Sequence, residues 1–60
     1  MPMNIDLLFP TEDRIETVPD VVSFEVNHGE ETTVILDQTD GRSAEFTAIG
    51  LTVQSGTPTN

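Results

Sequence analysis

Three short runs of alternating apolar and polar residues, separated by glycine-containing turns, constrain the fold of this chain more than any other feature. The runs lie at 21–26, 32–37 and 43–48, and the turns between them contain Asn27-His28-Gly29 and Thr39-Asp40-Gly41. A period of two is typical of β-strands with one buried face, and short glycine-containing turns join such strands into hairpins. The pattern therefore predicts a three-stranded antiparallel meander.

The apolar pattern also predicts the length of the turn between the second and third runs. A two-residue turn at Asp40-Gly41 would place Asp37 on the same buried face as Phe46. A three-residue turn at 39–41, with its glycine in the left-handed conformation, instead opposes Val34 to Phe46 and keeps Asp37 in solvent. We therefore predict the longer turn.

The same reasoning predicts a second three-residue turn at Asn27-His28-Gly29, which would oppose Val22 to Val34 and Phe24 to Thr32. The two turns together assign every residue of the meander to one face. The predicted buried face contains Val22, Phe24, Val26, Val34, Leu36, Ala44, Phe46 and Ala48. The predicted exposed face contains Ser23, Glu25, Thr33, Ile35, Asp37, Ser43, Glu45 and Thr47.

The segment before the meander predicts one more strand and a connection. Ile5, Leu7 and Phe9 alternate with less apolar neighbours, so we expect a first strand that ends at Pro10. Residues 11–18 carry a helix-cap pattern but are short, so we expect a loop with at most one helical turn. An alternative is a brief strand from Arg14 to Val18 that pairs with the first strand.

The segment after the meander alternates in the opposite phase, because Ile49, Leu51 and Val53 have the other parity from Phe46. A bulge or bend near Gly50 would restore the phase, and the last strand would then face the first across the core. The resulting prediction is an all-β domain over residues 1–54, a meander of four to five strands that forms an open barrel or roll. Residues 55–60 are predicted to be a disordered, flexible tail.

The size of the chain limits its stability. A domain of 60 residues buries only about 60% of the surface that its unfolded form exposes. Small domains commonly add disulfides, a metal or oligomerisation to a thin core. Because the chain has no cysteine, we expect it to gain stability from a protein partner or from a homo-oligomer.

The charge balance limits the classes of partner. Eleven acidic residues oppose two arginines and no lysine, which gives a formal charge of −9. Nucleic-acid-binding proteins carry basic surfaces, so direct binding of DNA or RNA is not expected. In composition the chain resembles proteins of haloarchaea and small acidic proteins of actinobacterial phages, and this likeness assigns no function. We expect salt to screen the self-repulsion and to stabilise the fold.

Hydropathy gives an expectation about location. The longest apolar runs have three residues, whereas a membrane-spanning helix needs about 20. No basic residue precedes the first apolar residues, as one would in a secretory signal peptide. We therefore expect no membrane association and a cytoplasmic protein, or a virion-associated one if a phage encodes it.

Residues that could carry chemistry are few. His28 with Glu30 and Glu31 could hold a divalent ion, but a metal site needs three or four ligands at suitable spacing, and we expect a solvated turn. Asp37 and Asp40 lack the further acids of a calcium loop. Nucleophile motifs and phosphate-binding glycine loops are absent from the sequence. We therefore predict a non-enzymatic protein without a cofactor.

The remaining candidate is a surface. Thr33, Ile35, Glu45 and Thr47 form a flat part of the predicted exposed face, which we take as a candidate interaction surface. The leading hypothesis is a small acidic interaction module that assembles with itself or within a larger complex, such as an accessory or structural component of a phage particle. One alternative is an acidic nucleic-acid mimic that inhibits a DNA- or RNA-binding protein. Another is a salt-adapted domain of unknown task.

Overall fold

The computed structural model describes residues 1–58, which form five β-strands joined by short turns. The strands are β1 (Met3–Phe9), β2 (Arg14–Asn27), β3 (Thr32–Gln38), β4 (Ser43–Ala48) and β5 (Thr52–Pro58). Their order in the sheet is β4-β3-β2-β1-β5, and every neighbouring pair is antiparallel. This confirms the predicted all-β fold class. The described range forms no helix, and hence none that is long and apolar enough to cross a membrane.

The sheet curls strongly, although it stays open between β4 and β5. A flat sheet in this order would place its two edge strands about 19 Å apart. The three residues between Ala48 and Thr52 can span at most about 15 Å. Phe9 on β1 and Phe46 on β4 also meet edge to face, with ring centroids 5.9 Å apart, although two strands separate them in the sheet. The curl therefore encloses the core between the two ends of one sheet.

The long strand β2 makes this curl possible because it changes partner halfway along its length. Its first half pairs with β1 as far as Val21, and its second half pairs with β3 from Val21 onward. Pro19 and Asp20 stand opposite the single residue Asn4, and Asp20 has φ 57°. This bulge bends β2. Hydrogen bonds from the end of β3 to the carbonyl oxygens of both bulge residues hold the bend in place.

The core consists of alternate side chains that point inward from β1, β2 and β3, with one from the β4–β5 connection. Its buried members are Ile5, Leu7, Phe9, Val18, Val21, Val34, Leu36 and Leu51. Smaller or half-buried residues pack around them, mainly from β4. The predicted period-two burial of β1 is confirmed, since Ile5, Leu7 and Phe9 are all buried.

The turn between β3 and β4 matches its prediction. Val34 stands opposite Phe46, and the Gln38 amide donates to the Arg42 carbonyl oxygen across the turn. Residues 39–41 therefore form the predicted three-residue turn, and Gly41 has φ 86°. The left-handed conformation explains the glycine, since other residues adopt it at a cost.

The predicted turn at Asn27-His28-Gly29 is wrong. Val26, rather than Val22, opposes Val34, so the register differs by four residues from the predicted one. The connection between the strands spans residues 28–31. Gly29 lacks the positive φ that a glycine bulge requires, so its position did not mark the turn. Because the difference is an even number, residues 23–26 of β2 keep their predicted faces relative to β3.

Two predicted core residues, Val22 and Phe24, are exposed in the structure. Val22 is the extra residue of a second bulge in β2, opposite the bond between Asp37 and Gln38, and it is 57% exposed. Phe24 stands opposite Leu36 on the inner face, yet it is 47% exposed. No strand of residues 1–58 lies beyond it on the side where β1 pairs with β2. The alternation of apolar residues predicted that Phe24 lies on the inner face. It could not predict that this part of the inner face is not covered by another strand of residues 1–58.

The connection before the meander also differs from its main prediction. Residues 14–18 are the start of β2 and pair with β1, as the alternative interpretation proposed, and the turn occupies residues 10–13. The bulge at Pro19 explains this difference, because a strand can continue through a proline at a position where no ladder hydrogen bond is needed.

The last strand extends further than predicted. Gly50 lies in the expected bend, with φ 71°, but β5 pairs with the edge of β1 rather than facing it across the core. Residues 55–58, which we expected in the tail, belong to β5 and pair with β1. Backbone pairing defines this segment, which buries little side-chain surface. Residues 59 and 60 of the predicted tail lie outside the described range.

Candidate interaction surface

The outer surface of β2, β3 and β4 is a regular array of nine side chains, which we call the outer grid. Cross-strand pairing fixes its three rows. The rows are Ser23–Asp37–Ser43, Glu25–Ile35–Glu45 and Asn27–Thr33–Thr47. Each residue faces away from the core because its neighbours along the strand face inward.

The structure brings the four candidate residues together in two adjacent rows of the grid. Thr33 is paired with Thr47, and Ile35 is paired with Glu45. The two threonine hydroxyl groups are hydrogen-bonded, with their oxygens 2.9 Å apart. The sequence pattern therefore predicted their placement on one surface, and their role in binding stays a prediction.

Hydrogen bonds across the strands order the rest of the grid. Ser23 and Ser43 each donate a hydroxyl proton to Asp37, to different carboxylate oxygens, at 3.0 and 2.7 Å. The Asn27 side-chain amide donates to Glu25 at 2.9 Å. Side chains held in this way lose less conformational freedom when a partner binds. The grid is therefore a preorganised polar surface around the partly buried Ile35.

The middle row concentrates negative charge beside an apolar side chain. Glu25 and Glu45 flank Ile35 on strands about 10 Å apart, which is two strand spacings. The two arginines of the chain are engaged elsewhere, since Arg14 pairs with Glu12 and Glu16, and Arg42 pairs with Asp40. The row therefore offers carboxylates to a cation from outside the chain.

A second carboxylate on the outer surface has the same local arrangement as Asp37. Asp6 on β1 accepts hydroxyl hydrogen bonds from Thr17 on β2, at 2.7 Å, and from Ser55 on β5, at 2.9 Å. These two bonds, chiefly the one from Thr17, lower the pKa of Asp6 from its ordinary value of 3.8. Hydroxyl groups on both neighbouring strands thus hold this carboxylate in its charged form.

The residues considered for metal binding do not converge. His28, Glu30 and Glu31 lie exposed in the connection between β2 and β3, and within residues 1–58 no three His, Asp or Glu side chains are grouped to hold an ion. Asp37 accepts from two serines, while Asp40 accepts from the Arg42 amide and pairs with its guanidinium group. The Asp37 carboxylate therefore stabilises the outer grid, and the Asp40 carboxylate stabilises the turn between β3 and β4.

The sequence analysis did not predict an apolar groove that lies between the start of β1 and the second half of β2. The groove has a volume of about 280 Å³ and is lined by Met1, Met3, Ile5, Val21, Val22, Ser23 and Phe24. It lies where β2 leaves β1, beside the second half of β2. The groove exists because one long strand, β2, pairs first with β1 and then with β3. The sequence analysis divided this strand into a loop and a short run, so it could not predict the groove.

Comparisons with protein-family models, with curated proteins and with solved structures give no match for this chain. Its function must therefore be argued from its own surface.

Proposed function

We propose that this protein is a small acidic interaction module, without a catalytic role, that binds a basic surface of a protein partner through the outer grid. The observation that carries the proposal is the middle row, where Glu25 and Glu45 flank Ile35 on a preorganised sheet. Membership of a larger assembly, such as a phage particle, is one setting in which such a module would act.

The chemistry of the row suits a lysine or arginine side chain. The long aliphatic stem of either residue can pack on Ile35 while the charged end reaches the carboxylates of Glu25 and Glu45. Charges arranged in this way also steer the partner toward the surface before contact. The row therefore supplies both an apolar contact and the charge complementarity that orients it.

The strength of this contact must come from several such pairs. An exposed ion pair contributes only about 0.2–1 kcal/mol, so a single lysine would bind weakly. A stable complex usually buries at least about 1,000 Å² in total. The nine residues of the grid would form the centre of such an interface, with acidic residues of the adjoining turns at its rim.

The positions of the acidic residues support this proposal over nucleic-acid mimicry. A mimic presents its carboxylates in a row that follows a phosphate backbone. Here they occupy the outer grid, the first half of β2 and its bend, the turns at 10–13 and 39–41, the connection at 28–31 and the outer side of β1. Because they are spread over several surfaces, the local pattern of the grid is the more specific feature.

A binding titration with a short oligolysine peptide at low salt tests the proposal. We expect chemical-shift changes centred on Ile35 and its neighbours in nuclear magnetic resonance (NMR) spectra. The double variant E25Q/E45Q should weaken binding about fivefold to tenfold, as expected for the loss of two exposed ion pairs. The control E12Q/D13N removes the same charge in the turn at 10–13, away from the grid, and should weaken binding less. Equal weakening in both variants, or no binding, would overturn the proposal.

A further inference from the structure

We propose that the second half of β2 receives an extended segment of the partner as an additional β-strand, with the segment's apolar side chains in the adjacent groove. The segment would carry basic residues at alternate positions. This inference rests on the proposed function for the charge of the partner, and it adds a second, separate contact region to the outer grid.

The backbone of β2 presents a free edge at this place. The Gln38 amide donates to the Arg42 carbonyl oxygen, on the β4 side of β3. Peptide-group directions alternate along a strand, so Ile35 directs its peptide groups to the other side, toward Glu25 on β2. The same alternation directs the N–H and C=O groups of Phe24 and Val26 away from β3. Pairing with β1 stops at Val21. Within residues 1–58, this side of β2 therefore has no strand neighbour beyond Val21.

The groove lies beside this edge and on the inner face of the sheet. Phe24 and Val22 are 47% and 57% exposed, and Met1 is 95% exposed. A strand added to the edge would direct alternate side chains inward, against Phe24 and into the groove of about 280 Å³. Burial of apolar side chains there would contribute affinity in addition to main-chain hydrogen bonds, as in other cases of strand addition.

Charge identifies the occupant as a basic partner rather than a second copy of this chain. The side chains of an added strand that point outward would lie beside Glu25, and those near its end would approach Glu30 and Glu31. Two copies paired through this edge would bring their Glu25 side chains together, and each copy carries a formal charge of −9. Like charges that face each other across strands are destabilising. A segment with alternating lysine and apolar residues would place its lysines beside Glu25 on the outer face and its apolar side chains in the groove on the inner face.

The free edge of β5 offers a less suitable site. Its residues from Gln54 to Pro58 are all exposed and include a serine, a glycine and a threonine, so they provide little apolar surface for an added strand. The second half of β2 combines a free edge, an apolar groove and a carboxylate on the outer side.

The test uses a synthetic peptide of alternating lysine and valine, with a peptide of the same composition in which lysines and valines are grouped in two blocks as its control. We expect the alternating peptide to bind more tightly. It should shift the NMR signals of Phe24 and Val26 and slow hydrogen exchange at both amides. The block peptide should bind only as strongly as oligolysine of equal charge.

Two variants test the geometry. V26P removes an N–H group that faces the free edge, and proline is compatible with such a position. We expect roughly fivefold to tenfold weaker binding, the effect of losing one hydrogen bond. V26A is the matched control, because it shortens the same side chain but keeps the N–H group. F24A keeps the N–H group but removes the groove contact, and it should also weaken binding.

The outcomes separate this inference from the proposed function. If the alternating peptide shifts the outer grid but not Phe24 and Val26, strand addition is wrong and the acidic module stands. If V26A weakens binding as much as V26P, or F24A and V26P both bind normally, strand addition is also wrong. If the free protein already forms a dimer through this edge, a second copy is the occupant and the inference fails. Absence of binding to any cationic peptide removes the proposed function as well.

Discussion

The two halves of β2 belong to one strand, yet the side chains along them have different surroundings. Beside the first half, Arg14 pairs with Glu12 and Glu16 and lies over the ring of Phe9, with its guanidinium carbon 4.0 Å from the ring centroid. Beside the second half, Phe24 and Val22 are exposed along the groove. Charged side chains discourage further pairing at a strand edge, whereas apolar ones favour it.

This difference follows from the bend at Pro19 and Asp20. The bend passes β2 from β1 to β3, so each half has one paired side and one free side, and the free sides point in opposite directions. The first half carries ion pairs and a cation–π contact at its start, where Arg14 lies over Phe9 of the neighbouring strand β1. Within residues 1–58, no strand pairs with the second half on the side opposite β3.

The largest expected change in stability comes from removing a phenylalanine ring beside each half of β2. Phe9, on β1, lies opposite the first half, and Phe24 belongs to the second half. Phe9 is 3% exposed and packs against Phe46, whereas Phe24 is 47% exposed. F9A should lower the free energy of unfolding by about 3–5 kcal/mol, enough to unfold much of the protein. F24A should cost only about 1 kcal/mol, since half of the side chain already contacts solvent. Urea denaturation in molar salt compares them, and equal losses would show that the groove belongs to the core.

The next largest effect concerns the bend itself. Asp20 has φ 57°, a conformation that a β-branched residue adopts only with strain. D20V should therefore cost about 1–3 kcal/mol, whereas D20G should change stability by less than about 1 kcal/mol because glycine adopts this conformation freely. Both variants remove the same charge, so thermal unfolding isolates the backbone effect. Similar stability of the two variants would contradict the bend.

The sequence predicted those parts of the fold that depend on local alternation and on one turn. Val34 opposite Phe46, and the assignment of eight of the nine outer-grid residues to one face, followed from period two and from Gly41. The ninth, Asn27, was predicted in a turn but pairs with Thr33. The β2–β3 register did not follow, because Asn27-His28-Gly29 resembles a glycine turn although Gly29 lacks a positive φ. Turn composition alone cannot choose between registers that keep the same faces.

The candidate site was predictable to a similar extent. Thr33, Ile35, Glu45 and Thr47 were placed correctly, because they needed only alternation and one hairpin. The free edge and the groove needed the bend at Pro19, where β2 changes partner. A proline in a short sequence reads as the end of an element, so residues 14–18 were assigned mainly to a loop. The strand β2 continues through Pro19 because residues 14–18 pair with β1. Such long-range pairing is not evident from the local sequence.

A smaller change in stability is expected from removing the acidic residues near each end of β2. Glu12 and Glu16 pair with Arg14 near the first half, whereas Glu30 and Glu31 follow the second half without an arginine beside them. E12Q/E16Q should lower the free energy of unfolding slightly at low salt, because two exposed ion pairs are lost. E30Q/E31Q should raise it slightly, since it reduces self-repulsion.

Salt provides the control for this comparison. Molar sodium chloride reduces the screening length to about 3 Å, so both differences should shrink while the wild-type protein becomes more stable. Urea midpoints at low and high salt measure all three effects. Equal responses of the two double variants at low salt would show that the Arg14 pairs contribute nothing to the first half.

The smallest expected effect lies on β1, beside the first half of β2. The folded pKa of Asp6 is lowered by hydrogen bonds from Thr17 and Ser55, so the charged carboxylate stabilises the fold above its unfolded pKa. That contribution should be lost as the pH falls from about 3.8 through the lower folded pKa. Carboxyl NMR should find Asp6 titrating below 3.8 in the wild-type protein, nearer to 3.8 in T17V or S55A, and nearest in the double variant. Thr17 is the larger cause, so T17V should shift the pKa more than S55A. A wild-type titration at the ordinary value would show that these hydroxyl groups bond to solvent, and that β1 and the first half of β2 are connected on their outer side by backbone pairing alone.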